Sequence, residues 1–336
     1  VPADDAAAQP ALTILSAVDG PAPHLAEMID SVVAQTVDDW ELVVVANGTS
    51  DDVERIVAEY AEDPRIRMLR QPYQGVAGGV NAAAAVARGA YYAVLPGDGR
   101  LEPTFCGRVA EVLAEHPEID VLCIDALPFL EGTDQWPSFR QRCGITDEPG
   151  VGHRVGLAEI VRRPALYTTA AIRASVWKAA GGYPADTPQV ESLAMCLRMS
   201  VAGCDLRVLP EQLGGYRLHA DNLEHRPRDH GEYDASVERA FLRVAAITDD
   251  PQVLAELRST LRRHRYETAL RLARAAVRES DPRTAREHAW LALRQRPSVR
   301  PAVMWALLRV APGGIDTVKA AKRRITGLVH SGVQRG

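Results

Sequence analysis

The stretch YYAVLPGDGRLEP, Tyr91 to Pro103, runs five apolar residues into a turn holding one carboxylate, Asp98, between Gly97 and Gly99. A second polar turn, ANGTSDD, follows the apolar run WELVVVA and offers Asn47 and two further acids. An aspartate beside glycines suits a plain turn as readily as a ligand site. What these residues can do therefore depends on the elements that carry them. Several chemistries are excluded by motif. No H-E-x-x-H and no G-x-S-x-G occurs, so a zinc-protease ligand set and a hydrolase nucleophile elbow are both missing. The glycine-rich GVAGG lacks the G-x-G-x-x-G register and does not follow the first strand, where a dinucleotide fingerprint belongs. Cys106, Cys123, Cys143, Cys196 and Cys204 are odd in number and never C-x-x-C, which reads as reduced, mostly buried thiols.

The elements that must position these turns alternate in type. ALTILSAV, WELVVVA, IRMLRQ and YYAVL read as four short buried strands. Between them lie helical patterns: GPAPHLAEMIDSVVAQ with Leu25, Ile29, Val32 and Val33 at helical spacing, TSDDVERIVAEYAED with capping residues at its start, and GVAGGVNAAAAVARGA. The last is so rich in small residues that it must lie close against a neighbour. Strand and crossover helix in alternation predict a mostly parallel sheet covered on both faces, with ligands at the carboxyl ends of its strands. ANGTSDD and PGDG then share one rim. Further on come a helix at FCGRVAEVLAEHP, a strand at IDVLCIDAL, a long polar connection from Gly132 to Gly156, a strand at PALYTTAAI and a helix at ESLAMCLRMSVAG.

After EHRPRDHGEYD the chain turns almost wholly helical. Leu254, Leu257 and Leu261 form one stripe, Asp281 and Pro282 read as N-cap and first helical residue, and Pro297 as a stop. Too few repeats are present for a solenoid, so a helical appendage is expected. The tail VKAAKRRITGLVHSGVQRG sets Lys319, Lys322, Arg323 and Arg324 beside apolar residues, a pattern suited to an anionic membrane surface or to a solvated terminal helix. The net charge of −5 gives no general basic field for nucleic acid, and no apolar run reaches the length of a membrane span. The N-terminal VPADDAAAQP has neither a basic region nor an apolar core and reads as a disordered lead-in.

Four ordered blocks over residues 11–225 resemble glycosyltransferase family 2, the GT-A nucleotide-sugar glycosyltransferases. Ser31, Gln35, Thr36, Trp40 and Glu41, then Asn47, Gly48, Thr49, Ser50 and Asp51, fall in register with the first block. Gly75, Asn81, Ala87, Gly89, Tyr91, Asp98, Leu101 and Pro103 fit the second. WKAAGGYPADTPQVESLAMCLRMSVAG is similar to the family's G-G-[FY]…E-D segment, and YRLHADNL to its closing Y-R-x-H. The resemblance implies a GT-A domain over residues 11–228, with a mixed, mostly parallel sheet flanked by helices, after a lead-in of residues 1–10. A C-terminal helical domain with the basic tail takes up residues 229–336.

It also implies a chemistry. Sugar transfer from a nucleoside diphosphate needs the leaving diphosphate neutralised and the acceptor hydroxyl deprotonated. In this family a divalent cation, Mn²⁺ or Mg²⁺, on a D-x-D turn offsets the phosphate charge. Only the last acid of that turn survives here, as Asp98; Pro96 replaces another. The implied metal contacts are Asp98 and His219 of the closing motif. The E-D pair falls on Glu191-Ser192, so the usual catalytic aspartate is a serine, which takes no proton near neutral pH without an activator. Glu191 and Asp186 remain as candidate bases, or else as solvated and capping acids. Asp19, Asn47, Gly75, Asn81, Asp98 and Arg217 are the implied donor contacts. Arg217 and Arg88 are the cations expected near phosphate, with a structural ion pair the other reading of Arg217. Tyr73 and Trp136 lie on loops flanking the rim, suited to stacking or to packing.

The expected protein is an inverting hexosyltransferase-type enzyme of polysaccharide biosynthesis, working in the cytoplasm, either free or peripherally at the inner face of the membrane. Its acceptor is a glycan, a lipid-linked carrier or a small natural product, and a homo-oligomer is compatible with the sequence. The alternative is a non-catalytic GT-A protein that binds a nucleotide sugar or a partner glycosyltransferase, since three acids are lost on one rim.

Overall fold

The computed structural model describes residues 9–48, 50–129, 137–142, 150–163, 170–218 and 230–310. His219, Trp136, Cys143, the first eight residues and the basic tail lie outside them. Among the described residues one eight-stranded sheet has the order β3-β2-β1-β4-β7-β6-β8-β5. Its parallel half comprises β1 (Leu12–Val18), β2 (Trp40–Asn47), β3 (Ile66–Gln71) and β4 (Tyr91–Val94). These are the four strands the sequence predicts. Three crossover helices join them: α1 (Leu25–Val33), α2 (Asp51–Ala58) and α3 (Gly75–Val86). In the other half, β7 (Ala170–Arg173) runs antiparallel between β4 and β6 (Val121–Phe129). Beyond β6 lies β8 (Leu206–Arg217), parallel to it, and then the two-residue edge strand β5 (Arg100–Leu101), antiparallel to β8. The mixed, mostly parallel sheet is thus as expected, but β5 and β8 were not anticipated. Pro210 and the pair Gly214-Gly215 break the alternation of β8, and its register with β6 slips between Leu209 and Gln212.

The core of this layer is the apolar side of α1, α2 and α4 (Phe105–Glu115) against the sheet. In α1 the buried residues are Leu25, Met28, Ile29 and Val32, while Val33 points outward. The helical spacing of Leu25, Ile29, Val32 and Val33 is as expected; Met28 joins the buried stripe and Val33 ends the helix on its outer side. Ser50 caps α2 by accepting the Asp52 amide. Within the long polar connection lies α5 (Phe139–Arg142), and directly after it α6 (Leu157–Arg162); after β7 come α7 (Ala174–Ala180), α8 (Glu191–Val201) and α9 (His230–Ile247).

The chain divides into two compact units, residues 1–254 and 255–336. The long α10 (Pro251–Arg278) begins in the first; Val253, Leu257 and Leu261 are its buried apolar residues near that end, with Leu254 only half-buried. In the second unit α11 (Pro282–Gln295) starts as its sequence predicts, with the Asp281 side chain accepting the Arg283 and Thr284 amides and Pro282 in the first turn. Ala276, Ala285 and Leu308 form one small apolar cluster there and Ala269, Leu270 and Ala292 another, bringing α12 (Val299–Val310) onto its neighbours.

The amino ends of the central strands are fastened by one buried acid. Glu41 accepts hydrogen bonds from Thr13 Oγ (2.8 Å), the Arg88 amide and the Arg88 Nε (2.9 Å), and pairs with Arg67 (3.0 Å). Burial pushes its carboxyl upward. The bonds from Arg88 and Thr13 and the charge of Arg67 outweigh this and hold it below the ordinary value. Arg88 is therefore at the end of β2 opposite the predicted rim, committed to Glu41; its assignment to phosphate is corrected. Glu41→Ala should destabilise the fold by roughly 2–4 kcal/mol, because it strands buried donors and two cations. A depressed carboxyl stabilises above its unfolded value and loses that contribution as pH falls through the folded one. Urea denaturation should accordingly show a smaller difference between wild type and mutant under acid conditions than at pH 7.

Candidate functional site

The carboxyl ends of β1, β2 and β4 carry Asp19, Asn47 and the turn 96–99, on one edge of the sheet as the parallel topology requires. Helix α3 packs beneath this rim closely enough to need glycine. A Cβ on Gly79 would lie 2.6 Å from the Ala17 Cβ and 3.0 Å from Asn47 Nδ2. Asn47 is buried and uses its whole amide to fix the start of α3. Its Nδ2 donates to the Gly75 carbonyl (2.9 Å), and its Oδ1 accepts from Gln71 Nε2 (2.8 Å) and the Gln74 amide (3.2 Å). The bonding of Asn47 and Gly75 thus shapes the rim. Asp19 stands exposed at the end of β1, before Gly20.

Midway along α3, Asn81 grips a loop far away in sequence. Its Nδ2 donates to the Tyr183 carbonyl and its Oδ1 accepts the Tyr183 amide, both at 2.9 Å. Gly182, at φ +69°, makes room: a Cβ there would fall 2.3 Å from Asn81 Oδ1. Tyr183 packs on Trp177, which in turn meets Tyr92 of β4 edge to face. The G-G-Y motif is in this way bolted to the donor-side helix.

From that anchor the chain runs through Asp186 to Glu191, the first residue of α8. The loop is strained and polar: Gln189 has φ +70°, and Thr187 Oγ and Gln189 Oε1 are buried without a hydrogen-bond partner. Burial pushes the Glu191 carboxyl above its ordinary value, against the lowering pull of hydrogen bonds from the Glu191 and Gln189 amides. Asp186 sits differently. Half-exposed, it forms a two-armed ion pair with Arg243 of α9 (Nη1 to Oδ1, 2.8 Å), and its carbonyl accepts from Arg239 Nε (2.9 Å). Asp186 is thus tied to α9 by its ion pair, whereas the Glu191 carboxyl is held by backbone amides.

The turn 96–99 is wedged against β1, since a Cβ on Gly97 would lie 2.8 Å from Val18 Cγ2. The half-buried Asp98 rides on it, and its carbonyl accepts from Arg217 Nε at 3.2 Å. Arg217 is 4% exposed, pairs with Glu27 of α1 and lies 4.7 Å over the Phe129 ring. Of its two readings, the ion pair describes what is seen. Ser31, Gln35 and Thr36 at the end of α1 hold the chain just beyond the turn. Ser31 Oγ accepts the Leu101 amide, Gln35 bridges the Glu102 carbonyl and the Cys106 amide, and the Thr36 amide reaches the Pro103 carbonyl. Tyr73 is exposed between β3 and α3, open to a ligand. Sequence reasoning missed Glu27 and Arg243, because an exposed helix position carries no mark of a partner 57 or 190 residues away.

Among the described residues no three His, Cys, Asp or Glu side chains gather as a metal site. Asp98 is the single carboxylate of the turn, so the described residues do not by themselves make a resident cation site.

The sheet order, the crossover helices and the ligand rim define a GT-A glycosyltransferase fold. Residues 16–168 match the model of glycosyl transferase family 2. Among curated relatives it is 29% identical to the putative glycosyltransferase EpsH of Bacillus subtilis over 121 residues, 36% of this chain and 35% of EpsH. It is 35% identical to the Escherichia coli chondroitin synthase over 81 residues, 24% of this chain and 12% of the synthase. The chain spans about a third or less of the length of such relatives. Two solved structures share the fold. S. aureus TarS 1–349 in complex with UDP-GlcNAc has TM-score 0.61 and 15% identity, over 93% of this chain and 91% of that one. The mannosyltransferase PcManGT of Pyrobaculum calidifontis, with GDP-Man and Mn²⁺, has TM-score 0.58 and 15% identity, over 94% and 87%.

A carboxyl raised by burial lends the fold stability below its unfolded value, and that is lost as pH rises through the folded value. Glu191→Gln should therefore leave stability unchanged near pH 4 and raise it by about 1 kcal/mol at pH 8. Asn81→Ala, which strands both polar groups of Tyr183, should cost roughly 2 kcal/mol. Denaturant midpoints of the purified variants decide both.

Proposed function

We propose that the chain transfers a sugar from a nucleoside diphosphate donor to an acceptor hydroxyl, with inversion at the anomeric carbon. One observation carries this reading: a carboxyl at the head of α8, raised by burial, on a loop that α3 ties to the strand rim. The donor lies along that rim, with Asp19 toward the base and Asp98 toward the diphosphate. Asn47, Gly75, Asn81 and Arg217 hold the walls. Glu191 as carboxylate accepts the acceptor hydroxyl proton, and the oxygen attacks the anomeric carbon. The bond to phosphate breaks, and the nucleoside diphosphate leaves with the electron pair. A raised carboxyl suits this, since its proton affinity lies nearer the operating pH.

A divalent cation, Mn²⁺ or Mg²⁺, would be held by Asp98 together with donor oxygens, and by His219 in the family's manner; it supplies charge to the departing diphosphate. The relative named chondroitin synthase supports a glycan acceptor; a lipid-linked acceptor belongs to the same proposal, and the cytoplasm, where nucleotide sugars are made, is the proposed location. Loss of the second turn acid and of the usual aspartate at Ser192 supports the rival reading, a donor-binding protein without turnover.

Calorimetric titration with UDP, GDP and dTDP, each with and without Mn²⁺, separates these. The expected outcome is tight binding of one nucleotide, weakened by Asp98→Ala. For that nucleotide's sugar, Glu191→Gln should lower turnover at least about 100-fold with donor binding kept. In the wild type, turnover should fall as pH drops through the raised Glu191 value. Binding without turnover under any condition would establish the non-catalytic protein; no binding would sink the donor site itself.

A further inference from the structure

Arg217 and Arg88 are the cations that the sequence sets near phosphate, and both are committed to carboxylates. Another arginine is not. Arg100, on the edge strand β5, stands two residues beyond Asp98 and is half-buried. The other arginines on the described strands, Arg67, Arg70, Arg173, Arg207 and Arg217, each pair with a carboxylate. Among the described residues the Arg100 guanidinium meets no carboxylate and no hydrogen-bond acceptor. Its contact is the Phe129 ring, whose centroid is 4.2 Å away. A ring face spends none of its five N–H donors.

The fold holds Arg100 in this posture. Across the ladder it pairs with Gly215, and Phe129 pairs with Arg217. Gly215 and Arg217 are two apart on β8, so Arg100, Phe129 and Arg217 stand on one face of the sheet. A Cβ on Gly215 would lie 2.6 Å from Arg100 Cγ and 2.9 Å from its Nε. The absent side chain is the bed on which the Arg100 stem lies. Phe129 and Arg217 end β6 and β8, and both strands run parallel to β4, because β7 is antiparallel to β4 and to β6. The two guanidiniums therefore sit on the same carboxyl rim as the Asp98 turn, whose carbonyl Arg217 already binds.

We infer that Arg100 is a phosphate-binding residue of this rim, taking the diphosphate of a nucleoside diphosphate donor through its guanidinium fork. A planar fork with unspent donors matches two phosphate oxygens at once. A half-buried cation without an anion is costly, and a phosphate satisfies it. The turn suits a guanidinium in this role. With proline at 96 and glycine at 99, Asp98 is its single acid, and an arginine needs no carboxylate ligand to hold it in place. As the bond from sugar to phosphate breaks, Arg100 offsets the charge gathering on the leaving oxygens. The inference rests on the donor reading above and adds the residue that meets the phosphates.

The test is calorimetric titration of the full chain, with Mn²⁺ present, by UDP, GDP and dTDP and by uridine, guanosine and thymidine. Arg100→Gln should weaken the preferred diphosphate roughly 10- to 100-fold and leave its nucleoside as the wild type holds it. Gly215→Ala, which crowds the Arg100 stem, should also weaken the diphosphate, but not in a chain that already carries Arg100→Ala. Three results would each overturn the assignment while leaving the donor site standing: unchanged diphosphate affinity in Arg100→Gln, an equal loss for diphosphate and nucleoside, or a Gly215→Ala effect that persists without Arg100. A wild type that binds no nucleotide would overturn the donor reading, and this assignment with it.

Discussion

The structure of the site depends on how closely α3 can approach the sheet. A helix that meets β1 and β2 with glycine at Gly79 brings its own side chains within reach of two loops that otherwise share nothing. At its start Asn47 binds the turn into the helix; at its middle Asn81 binds the backbone of Tyr183. Each bond alone is worth about 1 kcal/mol. Their value lies in geometry, because they relate the strand rim, where a donor would lie, to the loop that ends at Glu191. A bulkier α3 would push the two apart.

Most residues of the recognisable motifs do this kind of mechanical work. Ser31, Gln35 and Thr36 fasten the chain after the Asp98 turn, and Trp40 and Glu41 close the amino ends of the strands. These are intact. The changes fall on the acids, at Pro96 and Ser192, while the turn keeps the bond from the Gly99 amide to the Pro96 carbonyl. What survives is one turn acid, Asp98, backed by the buried Arg217–Glu27 pair, and one buried acid, Glu191, whose environment favours the protonated form.

The four parallel strands and the small-residue helix were legible because apolar runs and small side chains leave a local trace. So was the Asp281 cap. The strand β8 was not, since proline and paired glycines interrupt it and it bulges against β6, with extra residues between Leu209 and Gly214. Site residues were legible as members of motifs but not as roles. Asn81 and Arg217 look like ligand contacts in sequence and prove to be held by backbone and carboxylate partners. Arg88 follows α3 but lies at the wrong end of the strands. Direction along a strand and partners across long sequence separations are set by the fold, and a linear pattern does not record them.

The central claim is that one rim and one loop, joined by α3, form a single site for a nucleoside diphosphate and a proton acceptor. A crystal structure with the bound nucleoside diphosphate tests it most directly. The account predicts the diphosphate at the Asp98 turn, directly or through a cation, with the Glu191 carboxylate facing the open acceptor side and the Asn81–Tyr183 bonds unbroken. A nucleotide seated away from that turn, or a Glu191 side chain turned from it, would contradict the account.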